Sequence, residues 1–419
     1  MNERLLQYIW QFQYFNQSSL CTGNGEPLQI IHPGNYNSNQ GPDFSEAKIK
    51  VSDTTWAGNI ELHVKSSDWR KHKHNTDCNY KNVILHVVWQ HDTEESLAFP
   101  TLVLEDKIPK LLLRRYDELM NQSIFIPCEK TIADTDELIW TSWKERLLVE
   151  RLQFRSGLVL RFLEQNNYHW EETFWWMIAR NFGISQNSDA FEKIARSIPL
   201  KILGRHKNQL QQVEALLMGQ GGLLEIEFSE KYPVMLQKEY RFLQHKYRLK
   251  PVQHPLYFLR MRPANFPGIR LAQLAVLIHN SQQFFAQVCE IDSLQSIKKL
   301  LDITANDYWH YHYVFDEISG FKEKKLGAQM VENIIINTIV PILFCFGRYY
   351  KKEQQSEKAI QWLGMLSAEN NNIIKGFRSL QIAAADAFDS QALIQLKNEY
   401  CNKKRCLDCA IGNKLLRGK

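Results

Sequence analysis

The chain lacks the uninterrupted run of about twenty apolar residues that a bilayer span needs. Its most apolar stretch, NIIINTIVPILFCF at 333–346, is broken by Asn337 and Pro341. The N-terminus, MNERLLQYIWQFQYF, reads as an amphipathic helix with charges at its start and no small-residue cleavage site, which excludes a secretory leader. Cysteine is thin, eight in 419 residues with three crowded near the end, too sparse for the disulfide framework of a small secreted protein. A cytoplasmic protein with reduced thiols and no membrane partner is expected. No glycine-rich phosphate-binding loop of the Walker A kind occurs, so ATP-driven activity is excluded, and no internal repeat is found. Neither sign of charge dominates: 51 basic against 46 acidic residues leave +5, which allows a nucleic-acid partner without requiring one.

What is present is ordinary globular composition, 44% hydrophobic and 23% charged, in a chain long enough for two domains. The patterning changes along it. Residues 1–125 alternate helical and strand signals: a helix over 3–15, short β-type runs at 27–31, 46–51, 57–65, 82–90 and 100–105, then a helix over 108–121. From about 135 onward strand signals vanish and helical spacing takes over, as in WKERLLVERLQFRSGLVLRFLEQ. The expected fold class is α+β: an N-terminal mixed sheet with flanking helices over 1–125, then a larger all-helical domain over 126–419 that ends in a cysteine-rich tail.

The octapeptide GNIELHVK at 58–65 carries Glu61, His63 and Lys65 at alternate positions, on one side of a pleated strand, with Ile60, Leu62 and Val64 on the other. A solvated face would look the same. Upstream, Asp43 stands in GPDF directly ahead of the 46–51 strand. If the two strands pair as a hairpin, about 4.8 Å apart, Asp43 and Glu61 converge. Two carboxylates so placed form a hard-oxygen site for Mg²⁺ or Mn²⁺, which would activate a water and stabilise charge on a phosphodiester, with Lys65 as the neighbouring cation.

These residues resemble the PD-(D/E)XK nuclease superfamily, whose pattern is Pro-Asp followed, on the next strand, by an acidic residue, any residue and Lys. Pro42-Asp43 and Glu61-Leu62-His63 supply it here, and the order helix, three strands, crossover, strand agrees. The resemblance implies a restriction-endonuclease-like domain in which Asp43 and Glu61 bind metal, His63 occupies the usual Lys position and Lys65 stabilises the transition state. Over most of its length the chain also resembles an uncharacterised bacterial family, domain of unknown function number 2851, in GPDFSEAKIKV, WAGNIELHVKSSDW, YKNVILHVVW, RMRPANFPGIRLAQLA and YCNKKRCLDCAIGNKLL.

Other residues offer chemistry beside a structural role. His72, His74 and Asp77 follow the strand as potential metal or phosphate ligands or as solvated loop residues, and His86 reads as a hydrogen-bonded core histidine. A zinc hydrolase built on His63, His72, His74 and His86 is a further, weaker reading, because their spacing matches no recognised ligand pattern. Cys401, Cys406 and Cys409 are spaced to hold zinc or an iron–sulfur cluster if Cys345, Cys128 or a histidine folds back as the fourth ligand; some nucleases of the superfamily carry such a cluster near the C-terminus. Arg260, Arg262 and Arg270 flank two prolines and Phe266, placed either to fork onto phosphates or to pair with acids such as Glu214 inside a helical core. The expected function is a metal-dependent nuclease, and the alternative is a non-catalytic nucleic-acid-binding or scaffolding protein of the same fold. The sequence leaves oligomeric state open.

Overall fold

A computed structural model describes the whole chain except residues 38, 94–96, 122–123, 133–134, 260 and 419. It has the expected α+β architecture. Helix α1 (Glu3–Gln11) is capped by the Asn2 side chain, which accepts the Leu5 N–H at 2.9 Å. It is shorter than the expected 3–15, and it buries Leu5, Leu6, Ile9 and Trp10. Strands β1 (Leu28–His32), β2 (Asn35–Tyr36), β3 (Phe44–Val51), β4 (Thr54–Lys65), β5 (Val83–Gln90) and β6 (Thr101–Val103) form one sheet in the order β1-β3-β4-β5-β6, with β2 also on β3. The β1–β3 and β3–β4 pairs are antiparallel, while β4–β5 and β5–β6 are parallel.

The parallel β4–β5 pair requires a crossover, supplied by the short helix α2 (Asp68–Lys71) and two single turns, His74–Thr76 and Cys78–Tyr80. This agrees with the poor helix propensity of the segment. Gly58 permits close approach where the crossover returns, since a Cβ there would lie 2.5 Å from both the Asn82 carbonyl and the Ile84 side chain. β5 is buried along Val83–Val88, as expected of a strand inside a parallel sheet. Helix α3 (Lys110–Asn121) closes the run.

The chain divides into two compact units, and the division differs from the expected boundary at 125. The first comprises Met1–Trp143, Ser379–Ile382 and Leu396–Lys419, so the cysteine-rich tail belongs with the sheet and not with the helices. The reason lies in the tail's own contacts. Its last helix, Ala410–Arg417, buries Ile411 and Leu416, accepts the Arg115 guanidinium on the Leu416 carbonyl at 3.3 Å, and pairs Lys414 with Asp136 at 3.0 Å.

The second unit, Lys144–Arg378 with Ala383–Gln395, is helical throughout its core. One of its helical runs, Ala328–Tyr349, is long and apolar enough to cross a membrane, although 78% of its apolar window is buried among the other helices. The run is longer than its sequence suggests, because Asn337 is absorbed in a π-turn at Ile335–Ile339 and Pro341 falls in the first turn of the α-helix that follows.

Candidate metal centre

Strand register brings the carboxylates together. Phe44 pairs with Ile60, which sets Asp43 beside Glu61. The Asp43 N–H donates to Glu61 Oε2 at 3.0 Å, and the Leu62 N–H donates to Asp43 Oδ2 at 3.1 Å. Each strand thus holds the other's carboxylate with a backbone amide. From α1 the Gln7 amide donates to Asp43 Oδ1 at 2.7 Å, so both Asp43 oxygens are engaged. Glu61 Oε1 is placed differently: it lies 3.4 Å from His74 Nε2 and 3.7 Å from His63 Nε2.

The histidines arrive from three segments. His63 stands two residues along β4 from Glu61, and its Nδ1 lies 2.8 Å from Nε2 of His86, on the parallel neighbour β5. That contact turns His63 Nε2 inward, 3.2 Å from His72 Nδ1. His72 closes α2, Lys73 takes a left-handed conformation with φ +61°, and His74 starts the next turn, so two crossover histidines fold back over the strand. Tyr80 stacks on the His74 ring at 3.9 Å, and Trp69 packs edge-on to His63 and His74.

Burial sets the protonation. His63 is 1% exposed; desolvation, reinforced by His86, His74 and His72, pushes its pKa down to about 2. Desolvation likewise takes His86 down to about 3 and lowers His74. All three are neutral imidazoles at physiological pH. Asp43 and Glu61 move up, through burial first and, for Glu61, through the Asp43 charge beside it.

Glu61 Oε1 and the inward nitrogens of His63 and His74 converge, His72 Nδ1 lies against His63 Nε2, and His74 Nε2 is buried without a hydrogen bond among the described residues. A tetrahedral ion with ligands at 2.0–2.2 Å has ligand–ligand edges of about 3.3–3.6 Å. The separations of 3.2, 3.4 and 3.7 Å match that spacing. The three histidine nitrogens lie mutually within 4.8 Å, as do donor atoms of Glu3, Glu61 and His63. The donors fit a divalent metal that accepts nitrogen ligands. His86 would then be the outer partner that fixes the His63 tautomer, accepting the Nδ1–H so that the Nε2 lone pair points in.

Other sequence-predicted residues go elsewhere. Lys65 lies on the strand's outer end, its side chain 55% exposed and 3.9 Å from Asp92, so it is not part of the cluster. Arg270 is buried, donating to Gln273 Oε1 at 2.9 Å and to Asn265 Oδ1, with burial lowering its pKa to about 10; it does not face a solvent-borne phosphate. Arg262 is exposed, and Arg260 lies outside the described residues. Asp43 belongs to neither set of converging donors and acts on the neighbouring Glu61.

Sequence reading missed Glu3 and Gln7. Their i,i+4 spacing in α1, which puts both on one helix face, was the available signal. Both line a cavity of about 540 Å³, along with Arg4, Tyr36, Lys404 and Arg405, so the cluster's edge is continuous with a space that carries positive charge.

The family model that matches the chain, over residues 3–372, is described as Protein of unknown function (DUF2851), and the chain belongs to that family. No curated protein and no solved structure matches it.

Proposed function

We propose that this DUF2851-family chain is a metal-dependent hydrolase of nucleic-acid phosphodiesters, with the reaction in its sheet-bearing unit. The observation that carries the reading is the convergence of Glu61 Oε1 with the ring nitrogens of His63 and His74, with His72 against His63, beside a second buried carboxylate. A set with this much nitrogen favours Mn²⁺ or Zn²⁺ over Mg²⁺, which prefers oxygen ligands and retained waters. Bound there, such an ion supplies an acidified water and offsets phosphodiester charge.

The protein's own groups do the rest. His86 orients His63, whose imidazole stands where the PD-(D/E)XK pattern has Lys. Asp43 holds Glu61 through its backbone N–H, and its carboxyl, raised toward neutral pH by burial, would take a proton from the attacking water in its ionised form. Lys404 lines the adjoining cavity with Arg4 and Arg405, both held by Asp408, and these basic groups favour a phosphate backbone, while exposed Tyr36 offers a stacking surface for a base. A reduced, cytoplasmic setting belongs to the proposal and is supported by eight cysteines that are all free.

A second reading, nucleic-acid binding or scaffolding without cleavage, draws on two observations: Lys65 pairs with Asp92, and both Asp43 oxygens are already engaged. The deciding experiment incubates labelled single- and double-stranded DNA and RNA with the protein and Mn²⁺, Zn²⁺ or Mg²⁺. Hydrolysis is expected with Mn²⁺ or Zn²⁺ and is expected to fall more than about a hundredfold in Glu61→Gln and His63→Ala, beyond the loss seen when only an outer partner is removed. Oligonucleotide binding without cleavage under every metal would favour the second reading. Cleavage undiminished in both variants would remove the cluster from the chemistry.

A further inference from the structure

The sheet-bearing unit contains a second convergence of ligating side chains, separate from the histidines. Cys128, Cys401, Cys406 and Cys409 line one small pocket with Tyr400 and Ile411. Cys128 follows α3, and the other three belong to the C-terminal segment, so only the fold unites them. We infer that these four cysteines hold an iron–sulfur cluster that ties the C-terminal segment to the sheet-bearing unit.

The local structure is built around the sulfurs. Cys406 opens a single 3₁₀ turn, Cys406–Asp408, and Cys409 sits at the N-terminus of the helix Ala410–Arg417. Cys409 stands at the start of that helix, where the backbone N–H groups of Ile411 and Gly412 face its sulfur, the kind of donors that stabilise a ligating thiolate. Gly412 makes the turn possible, because a Cβ at that position would lie 2.1 Å from the Cys406 carbonyl oxygen.

All four thiols are free, and Cys128, Cys406 and Cys409 are buried. Arg405 lines the pocket, and Lys397 and Lys404 belong to the same C-terminal segment, a basic setting that fits an anionic cluster.

Sulfur spacing separates the two metals that favour such sites. A single tetrahedral zinc needs thiolates about 3.8 Å apart. The donor sets that gather within 4.8 Å among the described residues contain no cysteine. A cluster distributes its ligands over several iron atoms and takes sulfurs farther apart than one ion can reach.

The test is metal and acid-labile sulfide content of the full-length chain, purified without oxygen and also reconstituted with ferrous iron and sulfide. The expected result is about two to four iron atoms per chain with matching sulfide and a visible charge-transfer band. Cys128→Ser, Cys401→Ser, Cys406→Ser and Cys409→Ser should each lose most of the iron. Cys345→Ser, a buried cysteine of the helical unit, and Glu61→Gln should keep it, which separates this site from the histidine centre. Zinc without colour, or no iron after reconstitution of the wild-type protein, overturns the proposal whether or not any variant folds. Full iron in a folded Cys128→Ser protein overturns the fourth ligand.

Discussion

Glu61 in the sheet-bearing unit and Glu214 in the helical unit are both buried carboxyls pushed upward by desolvation, Glu214 to about 8. Their neighbours differ in kind. Glu214 is met by donors: the Tyr232 hydroxyl and the Asn306 amide at 2.6 Å. Glu61 receives one backbone N–H on Oε2, and its Oε1 faces two imidazole nitrogens that are themselves neutral bases. A shifted pKa is common to the two sites and distinguishes nothing. The balance of donors and acceptors does, since it is closed at Glu214 and lacks a cation at Glu61.

The sharpest way to break the comparison is to exchange the two roles by mutation. Glu61→Gln is expected to abolish Mn²⁺ and Zn²⁺ binding in calorimetry while leaving the melting temperature in chelator nearly unchanged. Glu214→Leu is expected to do the reverse, keeping metal binding and losing about 1–3 kcal/mol for each buried donor left without a partner, read from denaturant unfolding. Metal loss in Glu214→Leu, or severe unfolding in Glu61→Gln, would collapse the distinction. A smaller effect is expected at His86: replacing it with Leu removes the partner of His63 Nδ1 and should weaken metal binding by about 10–100-fold without abolishing it.

Proton linkage sharpens the comparison further. Between their ordinary values and their raised folded-state values, Asp43 and Glu61 keep protons in the folded chain that the unfolded chain has released. Rising pH therefore destabilises the metal-free fold. His63 and His86, lowered by burial, act oppositely, costing stability only as pH falls below the ordinary histidine value of 6.5, at which the unfolded chain gains protons that the fold refuses. Above that value the raised carboxyls, Glu214 of the helical unit included, set the slope, at most about 1.4 kcal/mol per pH unit for each coupled proton. In chelator, stability should fall from about pH 6.5 to about pH 8.5. Saturating metal should reduce the fall, because binding releases the protons of the site, and Glu61→Gln should make it shallower. A metal-free protein that gains stability over this range would contradict the raised carboxyls.

The core of the site was legible because it rests on local pattern. Alternation in β4 and the Pro42–Asp43 step ahead of β3 were enough to bring Glu61 and Asp43 together, as the hairpin register does. The crossover histidines were visible as residues but not as ligands, since their return depends on a left-handed Lys73 that nothing in WRKHKHNTD demands. Cys128 was one of several candidates for a fourth ligand, and only tertiary packing selects it. Arg270 stood open between a phosphate and a helical core, and its helix decides for the core. Its helix, Pro267–Asn280, is apolar on nearly every face and buried from Pro267 to Leu277, a pattern that places any arginine within it inside a core, where Asn265 and Gln273 satisfy it.

Lys65 is the smallest and most local test. Strict alternation puts it on the same side as Glu61 and His63, but alternation fixes only the side of the sheet, not depth along the strand. Lys65 ends β4 where the sheet meets solvent, and its ammonium is 3.9 Å from Asp92, which in turn accepts from Ser66 and Ser67. An exposed pair of this length contributes little, so Lys65→Ala should change stability by no more than about 0.5 kcal/mol. Metal affinity and cleavage rate should stay within about twofold, because 1.4 kcal/mol, a tenfold effect, exceeds what an exposed ammonium so placed supplies. A tenfold fall in cleavage with unchanged metal binding would instead show Lys65 reaching the phosphate during the reaction, and the exposed edge of β4 would then join the buried cluster as part of one site.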